Sequence, residues 1–157
     1  MTAFKNTSSE MLLKSIYGFD FLIFDNDKIA SVSQLEKALQ TVIYRYIFSF
    51  GQRPLIKNKI HMENRALVGG EVLDTSFDTA KLKEAFEDCG ISVKVSNNAG
   101  TSYCNNIYFH GMKMLAEKYL NTKMVFIHIP YMKNISRSAD FFKSIEKAIS
   151  KFLSEAV

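Results

Sequence analysis

"ISVKVSNNAGTSYCNNIYFHGMKMLAEKYLNTKMVFIHIPY", residues 91–131, decides how the fold is read. Its first six residues (91–96) have the composition of a strand, and "SYCNNIYFHGMKMLAEKYL" (102–120) reads as a helix after an Ala-Gly turn. "KMVFIHIPY" (123–131) is a second strand, in which alternation puts Val125, Ile127 and Ile129 on one face and Met124, Phe126, His128 and Pro130 on the other. Strand, helix and strand in this order imply parallel neighbours joined by a right-handed crossover.

Reading outward, the same alternation continues. "SEMLLKSI" (9–16) is a short helix capped by Thr7 or Ser8, and "FDFLIF" (19–24) is a buried strand. "SQLEKALQTVIYRY" (33–46) places Leu35, Ala38, Leu39, Val42 and Ile43 at helical spacing. "YIFSFGQ" (46–52) and "NKIHMENRALV" (58–68) are strands, "TAKLKEAFEDCG" (79–90) is a helix closed by Gly90, and "SADFFKSIEKAISKFL" (138–153) is a last helix. The expected class is α/β: a three-layer α/β/α sandwich around a mostly parallel central sheet. No repeat or linker divides the chain, so 1–157 is expected to form a single domain.

Composition narrows the function classes. With 47% apolar and 23% charged residues the chain has the makeup of a soluble globule, and no apolar run approaches the roughly 20 residues that span a bilayer. Neither membrane partners nor an export signal is expected, and the expected location is the cytoplasm, where Cys89 and Cys104 stay free thiols. The net charge of +4 comes from scattered lysines, which argues against a nucleic-acid partner. His61 and His110 have no further ligands at metal spacing, so no metal and no cofactor is expected.

Chemistry concentrates at Cys104. In open α/β sheets, sites collect where strands lead into helix N-termini, and the positive end of a helix favours a thiolate. The competing reading is packing, since free cysteine is among the most buried residue types. His128 lies near the end of its strand, at the same rim as Cys104 if the two flanking strands run parallel; together they would make a nucleophile and a base. A catalytic histidine needs a group to hold its other nitrogen. Glu63, among apolar neighbours Met62, Ala66 and Leu67, is one candidate, but pattern alone does not single it out from the other acids.

The motifs "VSNNAGTSYCNNIYF" and "FIHIPY", separated as they are, resemble the pyrrolidone carboxyl peptidases, or type I pyroglutamyl peptidases. The resemblance implies a cytosolic cysteine exopeptidase that removes N-terminal pyroglutamate from peptides. It implies Cys104 as nucleophile, His128 as general base and, through "ENRA" after "FGQ", Glu63 as third member. Phe4, Asn6, Gln52 and Tyr103 would contact substrate, with backbone N–H groups near Tyr103 and Cys104 as oxyanion donors. Members of the family commonly assemble, so a homo-oligomer is a further expectation.

The chain departs from the family at two places. The Pro-Phe-Gly-Gly loop that walls the lactam ring has only Phe4 and Asn6 in comparable positions, after a first strand that is nearly absent. The Ala-Arg-Ile-Pro-Asp-Asn stretch expected after Glu63 has no match in "RALVGGEVLDTSFDTAKL". Two other readings therefore stand beside the peptidase: a degenerate member with lost or altered specificity, and a non-catalytic α/β interaction protein.

Overall fold

Residues 1–156 are described by a computed structural model. The chain runs β1 (Thr2–Phe4), α1 (Ser8–Ser15), β2 (Leu22–Phe24), α2 (Lys28–Thr41), β3 (Tyr46–Arg53), β4 (Lys59–Glu63), β5 (Arg65–Val68), β6 (Glu71–Asp74), α3 (Thr79–Asp88), β7 (Ser92–Ser96), α4 (Tyr103–Lys118), β8 (Lys123–Pro130), a 3-10 turn (Met132–Asn134) and α5 (Ser138–Glu155). Six strands form one sheet in the order β2-β1-β3-β8-β4-β7, while β5 and β6 pair as a separate hairpin.

The alternation read from β8 sorts the molecule into layers. Val125, Ile127 and Ile129 join a core with Leu12 and Leu13 of α1, Leu82 and Phe86 of α3, and Ile145 and Phe152 of α5. Met124 and Phe126 point the other way, into a core with Leu35 and Leu39 of α2 and Ile107 and Tyr108 of α4. Burying a side chain of this size from water is worth about 1.5–3 kcal/mol, so both faces of the sheet must be covered. The result is the α/β/α sandwich that the sequence implies.

Strand direction departs from that expectation. β4 lies between β7 and β8, parallel to β7 and antiparallel to β8, so β7 and β8 run in opposite directions and are not neighbours. The cause lies in the 54–58 link from β3 to β4, which turns sharply with Leu55 and Asn58 at positive φ. A parallel return needs a dozen or more residues, so β4 must run back against β3 and against β8, which pairs with β3 in parallel. The other pairings, β1 with β2, β1 with β3 and β4 with β7, are parallel.

Three local differences accompany this. The strand expected over 58–68 breaks at Asn64, where β5 leaves the sheet and returns antiparallel as β6 through Gly69 and Gly70 at φ 59° and 85°, a two-residue turn that glycine favours. α2 starts earlier than its apolar spacing suggests, because the Asp27 carboxylate accepts from the N–H groups of Ile29 and Ala30 at 2.9 and 2.7 Å; Val42 and Ile43 fall beyond its end, exposed. The nearly absent first strand is present as the short β1, seated between β2 and β3.

Candidate active site

Glu63 ends β4 with no exposed surface, and His128, 3% exposed, sits one diagonal step away on the antiparallel β8. Register pairs Glu63 with Phe126 and His61 with His128, so all four side chains share the face that α4 covers. His128 Nδ1 and Glu63 Oε1 are 2.8 Å apart. An ionised carboxylate this deep would be costly alone. Arg53, at the end of β3, supplies a cation: its Nη1 donates to the same Oε1 at 3.1 Å and to the backbone carbonyl of Asn98 at 2.9 Å. Glu63 Oε2 is buried without a protein partner. The backbone carbonyl of Glu63 accepts from the buried Tyr108 hydroxyl at 2.8 Å, tying the strand end to α4.

Cys104 reaches this face by another route than parallel strands would give. The loop 97–102, held where Asn98 accepts from Arg53, carries the chain from the end of β7 back to the start of α4. There the thiol settles over Gly51 of β3: a Cβ built on Gly51 would lie 2.6 Å from Sγ and 2.9 Å from the Phe126 ring. Gly51 is the register partner of His128. A strand residue without a side chain is thus what lets the sulfur down beside the imidazole's strand.

Burial overturns the expectation of a depressed thiol pKa. Cys104 is 9% exposed, and its pKa is pushed up to about 12 chiefly by desolvation; its own backbone N–H opposes this, and the weaker Glu63 and Arg53 charges act in opposite directions, Glu63 raising and Arg53 lowering it. The Cys104 side chain is therefore held as a thiol. Ser102 makes no side-chain cap on α4, so its hydroxyl takes none of the first backbone N–H groups of the helix beside the sulfur.

A cleft of about 350 Å³ opens on Cys104 and is lined by Phe4, Asn6, Gln52, Tyr103 and Tyr131 among others. The Phe4 and Tyr103 rings face one another with centroids 5.7 Å apart. Asn6 is held at φ 61°, a conformation Asn tolerates; its N–H donates to the Glu10 carboxylate at 2.6 Å, while Thr7 Oγ1 accepts from Glu10 N–H and caps the start of α1. Gln52 Oε1 accepts from the Ser8 N–H at 2.9 Å, which fixes the side chain at the cleft. A second hollow of about 540 Å³ shares Asn6, Thr7, Gln52 and Tyr131 with this cleft and extends it along α1 to Met11 and Lys133.

All seven residues singled out in the sequence therefore lie at or beside one rim. Those that sequence reasoning missed are Arg53, Tyr108 and Asn105, whose side-chain amide both accepts from the N–H and donates to the carbonyl of Leu67, at 3.0 and 2.7 Å, pinning the β5–β6 hairpin to α4. His61 is half-buried with Nε2 unpartnered, and burial followed by the Arg53 charge holds its pKa down. Arg65 Nε donates to Asp74 Oδ1 at 2.9 Å, across the β5–β6 hairpin.

Comparison with known proteins bears on the family and the fold. The pyrrolidone-carboxylate peptidase of Lactobacillus helveticus is 33% identical over 67 residues, 43% of this chain and 34% of its own length. That of Clostridium botulinum is 43% identical over 53 residues, 34% of this chain and 24% of its own. The aligned segment thus spans about a third or less of these curated relatives. Among solved structures, a mutant pyrrolidone carboxyl peptidase of the hyperthermophile Pyrococcus furiosus superposes with a TM-score of 0.83 at 19% identity over 99% of this chain and 98% of that one. Pyroglutamyl peptidase I of Bacillus amyloliquefaciens gives 0.83 at 19% identity over 94% and 92%; both likenesses speak for the fold. The family model described as pyroglutamyl peptidase matches residues 53–145, more than half of the chain and a span that holds Arg53, Glu63, Cys104 and His128. This chain belongs to the pyroglutamyl peptidase family.

Proposed function

We propose that the chain is a cysteine exopeptidase that removes an N-terminal pyroglutamyl residue from peptides, with Cys104 as nucleophile, His128 as general base and Glu63 as the group that orients and steadies the imidazole. The observation that carries this reading is the position of the Cys104 sulfur over Gly51, the register partner of a His128 whose Nδ1 is already committed to a buried Glu63.

Glu63 on Nδ1 leaves Nε2 to receive the thiol proton. Because the thiol is protonated at rest, proton transfer accompanies attack: sulfur bonds to the pyroglutamyl carbonyl carbon as Nε2 takes the proton. The uncapped N–H groups at Tyr103 and Cys104 would receive the oxyanion, at about 3 kcal/mol per donor. Collapse breaks the C–N bond, and His128 returns the proton to the departing amine. Water, deprotonated by His128, then cleaves the thioester to free pyroglutamate and the thiol. Phe4 and Tyr103 would wall the uncharged lactam, while Asn6 and Gln52 offer amide groups to its N–H and carbonyl. Free thiols at Cys89 and Cys104 fit a cytoplasmic setting, and self-assembly, carried over from the family, is open to a sedimentation measurement.

A second reading, the same machinery with an altered acyl group, is favoured by a cleft in which Phe4 alone stands where the family resemblance implies a phenylalanine loop. Release of a fluorophore from pyroglutamyl, prolyl and alanyl amides separates the two. Turnover of the pyroglutamyl amide alone, lost in Cys104→Ser, supports the first; turnover of another amide supports the second. Activity retained by Cys104→Ser would remove the nucleophile from both.

A further inference from the structure

Arg53 is not accounted for by the three-residue machinery, yet it touches two parts of it. Its Nη1 donates both to Glu63 Oε1, the oxygen that His128 uses, and to the Asn98 carbonyl in the loop that delivers Cys104. The side chain is 28% exposed and the carboxylate fully buried, so this ion pair is only partly screened by water. We propose that Arg53 is a positioning residue for the reaction proposed above: it divides the charge of Glu63 between itself and His128, and anchors the loop before α4.

The physical case is one of sharing. A carboxylate oxygen facing a lone imidazole would hold the ring as imidazolium, a poor base; with a guanidinium on the same oxygen, the negative charge felt by the ring is reduced. The charged and titratable groups around His128 are Glu63 and His61 from β4, Arg53 from β3, and Cys104 and Tyr108 from α4, with Lys94 of β7 acting on His61. Burial disfavours the charged form of His61, and among these groups Arg53 is the cation set directly against Glu63. The same cation acts on the Cys104 thiol in the direction opposite to Glu63. Loss of Arg53 should therefore make the imidazole harder to deprotonate and the thiol harder to ionise at once, moving activity toward alkaline pH through both groups.

The proposal rests on the peptidase reading for its meaning, but its test does not need turnover. The ring resonances of the three histidines are followed against pH by NMR in the wild type, Arg53→Met, Arg53→Lys and Glu63→Gln/Arg53→Met, using His61→Gln and His128→Gln for assignment and a urea melt to establish that each variant is folded. Arg53→Met is expected to raise the His128 titration midpoint by about one pH unit, a tenfold change in proton affinity. Arg53→Lys, which keeps the charge, should bring the midpoint back to within a few tenths of a unit of the wild type. Without Glu63 to share, the Arg53→Met step should lose at least half of its effect. An unchanged or lowered midpoint in Arg53→Met, or the same rise in Arg53→Lys, overturns the proposal. A peptidase assay that fails while this titration succeeds counts against the substrate reading alone. If Arg53→Met does not fold, Arg53→Gln, which keeps hydrogen-bond donors without the charge, takes its place: a raised His128 midpoint supports charge sharing, and an unchanged or lowered one overturns it.

Discussion

Gly51 and Cys104 are packed so closely that the sulfur occupies the space where any other residue at position 51 would place its Cβ, 2.6 Å from Sγ. The thiol lies on the sheet because β3 has a gap in its side-chain row at that point. Two elements remote in sequence thus fix the thiol's depth, and the glycine is needed for close approach rather than for backbone freedom.

Gly51→Ala tests this directly. Either the thiol or the Phe126 ring, 2.9 Å from the new methyl carbon, must move. Overpacking of this kind costs about 1–3 kcal/mol, and displacement of a reacting atom by about 1 Å can cost 10²-fold in rate. The expected outcome is a folded protein with turnover reduced on the order of 100-fold; wild-type turnover would show that the close packing does not position the thiol.

Glu63→Ala should be far worse for stability than for a surface acid. It removes the partner of Arg53 and of His128 from a site with no exposed surface, and breaking a buried pair costs about 3–5 kcal/mol. Glu63→Gln keeps the volume and part of the hydrogen bonding. It should therefore melt at higher urea than Glu63→Ala while losing turnover by a factor of roughly 10² or more. Equal midpoints in urea for the two variants would contradict the role given to the carboxylate in the fold.

Asn105→Ala releases the two hydrogen bonds that hold Leu67 and leaves both backbone groups of that residue short of a partner. A loss of about 1–3 kcal/mol is expected, with faster hydrogen exchange confined first to the β5–β6 hairpin. Protection of the hairpin amides equal to the wild type would contradict the clamp.

The Cys104 thiol predicts an alkaline weakness. Its folded pKa, near 12, lies above the unfolded value near 8.5, so the unfolded chain releases the proton first. The stability that goes with a neutral buried thiol is present below about pH 8.5 and drains away as pH rises toward 12. Urea midpoints of wild type and Cys104→Ala, compared from pH 7 to 10.5, should converge or cross as pH rises; a constant difference would contradict the burial effect.

How much of this was legible in the sequence follows from how local each signal is. The alternation in "KMVFIHIPY" fixed both faces of β8, because pleating depends only on neighbours along the chain. The start of α2 lies ahead of its apolar spacing because the Asp27 cap sets it, and a strand drawn over 58–68 takes no account of the hairpin signal that "VGGE" (68–71) supplies at its end. The direction of β7 relative to β8 was not legible from helix-strand alternation, because it depends on β4 inserting between them. At the site, Cys104 and His128 stood out by residue type and place. Arg53 did not, since its partners Glu63 and Asn98 meet it only across the folded sheet, and the rise in the thiol pKa reflects burial that a helix N-terminus does not reveal.

The central claim is that Cys104, although buried, is the activated thiol and Cys89, although more exposed, is not. Peptide mapping by mass spectrometry after incubation with a pyroglutamyl chloromethyl ketone measures this most directly. The account predicts one adduct, on Cys104, formed at least tenfold more slowly in His128→Ala; an adduct on Cys89 in its place, or labelling of Cys104 at the same rate without His128, would contradict it.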